Sequence, residues 1–282
     1  MTPLRLAFGA ATDAGPVRET NEDAHVAAPP LFAVADGMGG HDAGDVASRI
    51  AVEELARLAG DDRAHRAGGG GLDAEAGTAL LDGAFATVRR RIAELEAGRR
   101  AAGDGEFTAG TTASVALGLA GRGGPRWLVA NVGDSRTYRL HRGGLDQVTV
   151  DHSLVQELVD AGSISPEEAA AHPARHVITR ALGAGSEGAA DYFLLPMVGG
   201  ERLLLCSDGV SGPLGAAGIE ELLRAGGGPR AAADALVQAA LAAGGRDNAT
   251  ALVVDVVGLA HDMSHDSVAE RGSPEEKLGA LP

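Results

Sequence analysis

Short apolar runs in this chain repeatedly stop at an aspartate set in a turn of small residues. Residues 31–35 run into Asp36-Gly37, residues 203–206 into Ser207-Asp208-Gly209, and Asn131-Val132-Gly133 into Asp134. A fourth aspartate, Asp247, lies in Gly245-Arg246-Asp247-Asn248 just before the apolar run 249–257. Runs this short read as buried strands. The fold must therefore cover its sheets and bring the aspartates to their ends. Carboxylates held at strand ends, far apart in sequence, are the donors a hard divalent cation takes.

Periodicity places the remaining elements. Apolar residues at Val46, Ile50, Leu55 and Leu58 predict a helix over 43–59, and Leu80, Leu81, Phe85, Val88, Ile92 and Leu95 predict one over 72–98. Between them, 63–71 is a glycine-rich hinge. Strands are expected over 112–120, 126–132, 136–141, 147–150, 202–207 and 249–257, joined in part by tight turns that indicate antiparallel pairing. Two short helices fit 153–162 and 166–171, with Ser165 able to cap and Pro166 to occupy the first turn. A further helix fits 229–243. Runs of strands set apart from paired helices point to an α+β layered sandwich over a doubly wound sheet. Residues 259–282 carry no apolar periodicity and are expected to form a mobile tail in which His261 and His265 are solvated.

Composition narrows the function. Asp and Glu outnumber Lys and Arg by 39 to 24, a formal charge of −15, which disfavours nucleic acid and anionic lipid as partners. The single cysteine, Cys206, excludes disulfide scaffolds and cysteine zinc clusters and is expected to be an inert core thiol. Neither a signal-peptide core nor a membrane-length apolar stretch is present, so a cytoplasmic location is expected.

The glycines after Asp36 allow the chain to present a carbonyl beside the carboxylate, although a turn aspartate ahead of a helix would read the same way. Asp208 and Asp247 are each compatible with a simple turn; their concurrence with Asp36 favours a metal site. In residues 15–23, Arg18 offers a planar fork for phosphate oxygens, while Glu22 and Asp23 can bind a metal or its waters. Plain surface charge is the alternative there.

With these residues in order, the resemblance is specific. Arg18 with Asn21-Glu22-Asp23, Asp36-Gly37-Met38-Gly39-Gly40-His41, Gly110-Thr111-Thr112-Ala113, Gly133-Asp134-Ser135-Arg136, Ser207-Asp208-Gly209 and Asp247-Asn248-Ala249-Thr250 resemble the ordered motifs of type 2C (PPM) metal-dependent serine/threonine protein phosphatases, in their compact bacterial form. The match spans residues 6–257. It implies a four-layer α-β-β-α sandwich of two antiparallel sheets flanked by helices, with a catalytic domain over 1–258 and a flap over 151–183.

The same resemblance implies two Mn2+ or Mg2+ ions. Asp36 would bridge them, Asp208 and Asp247 would complete one, and the Gly37 carbonyl would bind the other. Glu22 and Asp23 would act directly or through waters, and Asp134 would serve a third, weaker ion. Arg18 would hold the substrate phosphate. His176 would meet the third ion or the substrate, or be a polar flap residue without either role. His41 is the candidate general acid, because Met38 stands where many eukaryotic relatives carry histidine; capping of the glycine loop and a proton from a metal-bound water remain alternatives. The implied reaction is hydrolysis of phosphoserine and phosphothreonine on proteins by a metal-bridging hydroxide, with no protein nucleophile. Implied partners are phosphoproteins, including a bacterial serine/threonine kinase, and the chain is expected to be monomeric. The alternatives are a catalytically silent phosphoprotein-binding module of the same fold and a metal phosphoesterase with another substrate.

Overall fold

The computed structural model describes residues 5–40, 43–60, 72–104, 107–121, 124–186, 188–258 and 276–278. The glycine-rich 63–71 segment and His41 lie outside these, as does most of 259–282. A five-stranded antiparallel sheet has the order β1 (Arg5–Asp13), β12 (Ala249–Val257), β11 (Arg202–Cys206), β7 (Arg136–His141), β8 (Gly144–Gln147). The larger sheet has the order β13 (Glu276–Leu278), β10 (Asp191–Pro196), β6 (Gly124–Val132), β5 (Ala113–Gly121), β3 (Leu31–Gly39), β4 (Ala109–Thr111), β9 (Leu182–Gly183), with β2 (Asp23–Ala28) also paired to β3. Helices α1 (Ala43–Ala59) and α2 (Ala74–Ala101) pack outside the larger sheet, and α5 (Asp208–Arg224) and α6 (Pro229–Ala242) outside the smaller one. Two antiparallel sheets flanked by helices thus make a four-layer α+β sandwich.

The strand period explains the continuous apolar runs. In β3, Leu31, Ala33 and Ala35 face α1 and α2, while Phe32 and Val34 face the opposing sheet. In β11, Leu203 and Leu205 turn to the inter-sheet core and Leu204 and Cys206 to α5 and α6. Both faces of these runs are covered, so neither register carries a charge until the covered stretch gives way at Asp36, within β3, and at Asp208, after β11. Each fully buried Leu or Phe side chain contributes about 1.5–3 kcal/mol. Trp127 lies wholly buried between the sheets, and its indole N–H donates to Glu201 at 2.9 Å. Arg139 pairs with the other oxygen of Glu201 at 2.7 Å, which compensates the buried carboxylate.

Boundaries follow local chemistry. Asp73 caps α2 by accepting from the Ala76 amide, and Ser165 with Glu168 forms a reciprocal capping box on α4 (Pro166–Ala171), with Pro166 in the first turn. The short α3 (Leu154–Asp160) is capped by Ser153. Four points depart from expectation. The strand expected at 147–150 ends at Gln147, because the β7–β8 hairpin closes at His141↔Gly144 and the chain then turns inward. Strands β1, β2 and β10 carry polar residues or half-buried faces that mask their period. Asp208 does not merely end a strand turn: it opens α5, with Ser207 at the N-cap. Within the expected tail, residues 276–278 pair with β10.

Candidate metal centre

Antiparallel pairing alternates strand directions, and one end of the sandwich collects the C-termini of β3, β6 and β11 with the N-termini of β5, β7 and β12. The registers fix this: Cys206 lies opposite Ala251 and Arg136, Asn131 opposite Ser114, and Asp23 opposite Asp36. Asp36, Asp134, Asp208 and Asp247 therefore meet at that end from four separate connections. Asp36 is within electrostatic reach of Asp23, Asp208, Asp134 and Asp247.

Burial and mutual repulsion shift Asp23, Asp36, Asp134 and Asp208 upward. Asp36 is held well above the ordinary carboxylate range, first by desolvation and then by its four acidic neighbours. Desolvation raises Asp23 to about 7 against opposing hydrogen bonds from Ser207 and Thr250. Asp134 is raised to about 8 by desolvation, with Asp208 and Asp151 adding repulsion. Asp208 is raised by desolvation and by Asp247. Charge of one sign is concentrated here without enough cation to offset it.

Several non-acidic groups hold the acids in place. Ser207 Oγ donates to Asp23 Oδ2 at 2.7 Å and accepts the Thr250 amide at 3.0 Å, tying β2 to the start of β12. Asp23 Oδ1 is buried without a hydrogen-bond partner among the described residues. Both backbone polar groups of Asp36 are clamped: its N–H donates to Thr112 Oγ1 at 2.9 Å, and its carbonyl accepts from the Thr111 hydroxyl and the Thr112 amide, each at 2.9 Å. Asn248 accepts the Glu22 amide at 2.8 Å and donates to the carbonyls of Ala14 and Thr20, at 3.0 and 2.9 Å. The Glu22 carbonyl accepts the Gly37 amide at 3.1 Å, so the 15–23 segment is stitched to the acid end. Arg136 grips Asp151 through three contacts of 2.7–3.1 Å.

Arg18 reaches Asp247 at 2.9 Å and stays half exposed. His176, on the segment expected as a flap, places Nδ1 3.5 Å from Asp208 Oδ2. Cys206 is fully buried on the α5–α6 side, its thiol pushed up to about 12 by desolvation. A cleft of about 390 Å3 opens at the opposite end of the smaller sheet, lined by residues including His141, Arg142, Arg202 and Arg224. Arg202 is committed there to Asp255 and two carbonyls, so the cleft adds nothing to the acidic end.

The acid end suits hard cations. Among the described residues no three His, Cys, Asp or Glu side chains close on one ion by themselves. A Mg2+-like ion takes only one or two carboxylates and keeps several waters, so a dispersed group of acids with an unpartnered oxygen on Asp23 fits such ions. Asn248, Ser207, Thr111, Thr112, Asp151 and His152 were not assigned roles from sequence. Thr111, Thr112, Ser207 and Asn248 stand inside the resembling motifs, and Asp151 and His152 open the expected flap.

The molecule is a four-layer α+β sandwich with an oxygen-rich acidic end suited to hard cations. Residues 18–243 match the protein phosphatase 2C family, and the chain belongs to it. It is 38% identical over 283 residues to the serine/threonine protein phosphatase PstP of Mycobacterium tuberculosis, covering 99% of this chain and 50% of that protein. The chain thus spans about half the length of that relative. It is also 38% identical to the serine/threonine phosphatase stp of Listeria innocua over 252 residues, covering 86% of this chain and 93% of that one. A crystal structure of the PstP catalytic domain in complex with two manganese ions superposes with a TM-score of 0.75 at 39% identity, covering 91% of this chain and all of that one.

Proposed function

We propose that this chain is a protein phosphatase that hydrolyses phosphoserine and phosphothreonine on proteins, with two Mn2+ or Mg2+ ions at the acidic end. The observation that carries the proposal is the convergence of Asp23, Asp36, Asp208 and Asp247 on one strand-end surface, with Asp23 Oδ1 left unpartnered. Asp36, Asp208, Asp247 and the Gly37 carbonyl would hold the pair, with Glu22 and Asp23 beside them and Asp134 toward a third, weaker ion. Bound there, the ions would lower the pKa of a water and so supply a nucleophile near neutral pH.

The chain's own residues supply the rest. Arg18 is a bidentate donor at the mouth of the site, released to a phosphate dianion when Asp247 is engaged elsewhere. His176 stands on the solvent side of Asp208, where an incoming substrate would pass. No side-chain nucleophile is required, and Cys206 is too buried and too weakly acidic to be one. His41 lies outside the described residues and stays a proposed general acid. Among the described residues no helix is long and apolar enough to cross a membrane. Phosphorylated proteins, including a serine/threonine kinase, are the proposed partners of a cytoplasmic monomer.

A silent binding module would be expected to lack part of the ligand set, and Asp36, Asp208 and Asp247 are all present. The test is hydrolysis of a phosphothreonine peptide by EDTA-stripped protein with and without Mn2+. Phosphate release that depends on Mn2+ supports the proposal; none at any Mn2+ concentration refutes it.

A further inference from the structure

His152 is almost fully buried and, among the described hydrogen bonds, meets no acid of the proposed metal set; its amide and ring engage one turn, and its carbonyl a second segment. Its amide donates to the Gly133 carbonyl at 3.0 Å, and its Nδ1 lies 3.2 Å from the Gly133 amide nitrogen. Gly133 directly precedes Asp134 and adopts a φ of +100°. A side chain at 133 would meet Thr112 Cγ2 at 2.5 Å, so the turn can be neither decorated nor moved toward β5. The His152 carbonyl accepts the Thr179 amide at 2.8 Å, and Ser153 bridges to Ile178. The two ends of the 151–183 segment therefore close on His152.

The imidazole has one lone pair in its neutral form and two candidate donors. On the Nδ1 side is the Gly133 N–H. On the Nε2 side, Arg180 Nη1 stands at 3.2 Å and Asp191 Oδ2 at 3.7 Å. Arg180 has another acceptor, Asp191 Oδ1 at 3.1 Å, whereas the buried Gly133 amide has His152 as its acceptor among the described hydrogen bonds. Leaving the amide unpaired is the costlier choice. Nδ1 is then the acceptor and the ring proton sits on Nε2, so the 3.2 Å approach of Arg180 is not a hydrogen bond and Arg180 donates to Asp191 instead.

We propose that His152 is a positioning residue: its Nδ1 and backbone amide fix the turn carrying Asp134 and tie that turn to the base of the flap. This rests on the reading of Asp134 as a ligand of the third, weaker ion. Outer contacts of this kind typically change metal affinity or activity by 10–100-fold.

The experiment compares His152→Asn, whose amide oxygen can replace Nδ1, with His152→Gln, whose polar group replaces Nε2 instead, and with Asp134→Asn. Mn2+ binding to the full chain is followed by calorimetry, alongside kcat and KM on a phosphothreonine peptide. His152→Gln is expected to weaken the weakest Mn2+ class at least about tenfold, as Asp134→Asn does, with His152→Asn within about threefold of the unmodified chain. Equal behaviour of the Asn and Gln variants overturns the proposal, as does a Gln variant with unmodified binding. If Asp134→Asn alone leaves Mn2+ binding unchanged, the Asp134 reading fails instead. Should the variants not fold, ring 15N shifts of His152 in the unmodified chain decide: a proton on Nε2 supports the assignment, and one on Nδ1 overturns it.

Discussion

Asp23 and Asp36 are direct cross-strand partners on β2 and β3, two half-buried acids paired with 12 residues between them in sequence. Like charges in that position destabilise a sheet unless something of opposite sign joins them. The arrangement costs stability, and on the proposed reading cation binding would recover it.

Metal-free stability should therefore depend on pH in a definite direction. A carboxyl group raised in the native state, such as Asp23 at about 7 or Asp134 at about 8, holds its proton to higher pH than the unfolded chain does. Its contribution is full below the unfolded value of about 4 and is lost as pH rises through the native value. The Tm of EDTA-stripped protein should fall from about pH 5 to about pH 8, and Mn2+ should restore it at the higher pH. A Tm that rises over this interval would contradict the assignment.

Glycines at the acid end should tolerate nothing larger. A Cβ on Gly37 would lie 2.1 Å from the Gly44 carbonyl oxygen, and one on Gly209 would lie 1.9 Å from that of Asn248. Gly37→Ala and Gly209→Ala should each destabilise by about 3 kcal/mol or more in urea unfolding. Gly83→Ala, mid-helix in α2 with nothing within 4 Å, should instead stabilise by about 0.5–1 kcal/mol.

Asn248 joins three backbone groups of the N-terminal segment. Asn248→Ala should cost about 2–3 kcal/mol, from three hydrogen bonds of about 1 kcal/mol each. Because Arg18 and Glu22 belong to the untethered segment, KM for a phosphopeptide should rise as well. An unchanged KM would separate Asn248 from phosphate binding.

Cys206 should be chemically silent. Native protein at about pH 8 should resist iodoacetamide, and Cys206→Ala should keep the proposed phosphatase activity while losing about 1–2 kcal/mol of stability. Inactivation by alkylation before unfolding would refute this.

Much of the sandwich was legible because its strands are covered on both faces. The runs at 31–35 and 203–206 announce burial, and the helices at 43–59 and 166–171 carry clear period or caps. Strands β1 and β10 were not legible, because β1 alternates exposed and buried residues irregularly and β10 opens on a charged residue. Asp36, Asp208 and Asp247 stood out as charges ending apolar runs or opening one. The parts played by Thr112, Ser207 and Asn248 were hidden, since each depends on hydrogen bonds between residues tens to hundreds of positions apart. His152 stood out only as part of Asp151-His152-Ser153 at the start of the expected flap, with nothing in sequence to connect it to Gly133.

The most direct test of the acidic end is a Mn2+ titration of the EDTA-stripped chain beside its Asp36→Asn variant, read by calorimetry. Two tight Mn2+ ions per chain are expected, with binding weakened by about a hundredfold or more in the variant, beyond the range of indirect perturbations. A variant that binds Mn2+ with the same stoichiometry and affinity as the unmodified chain would contradict the account.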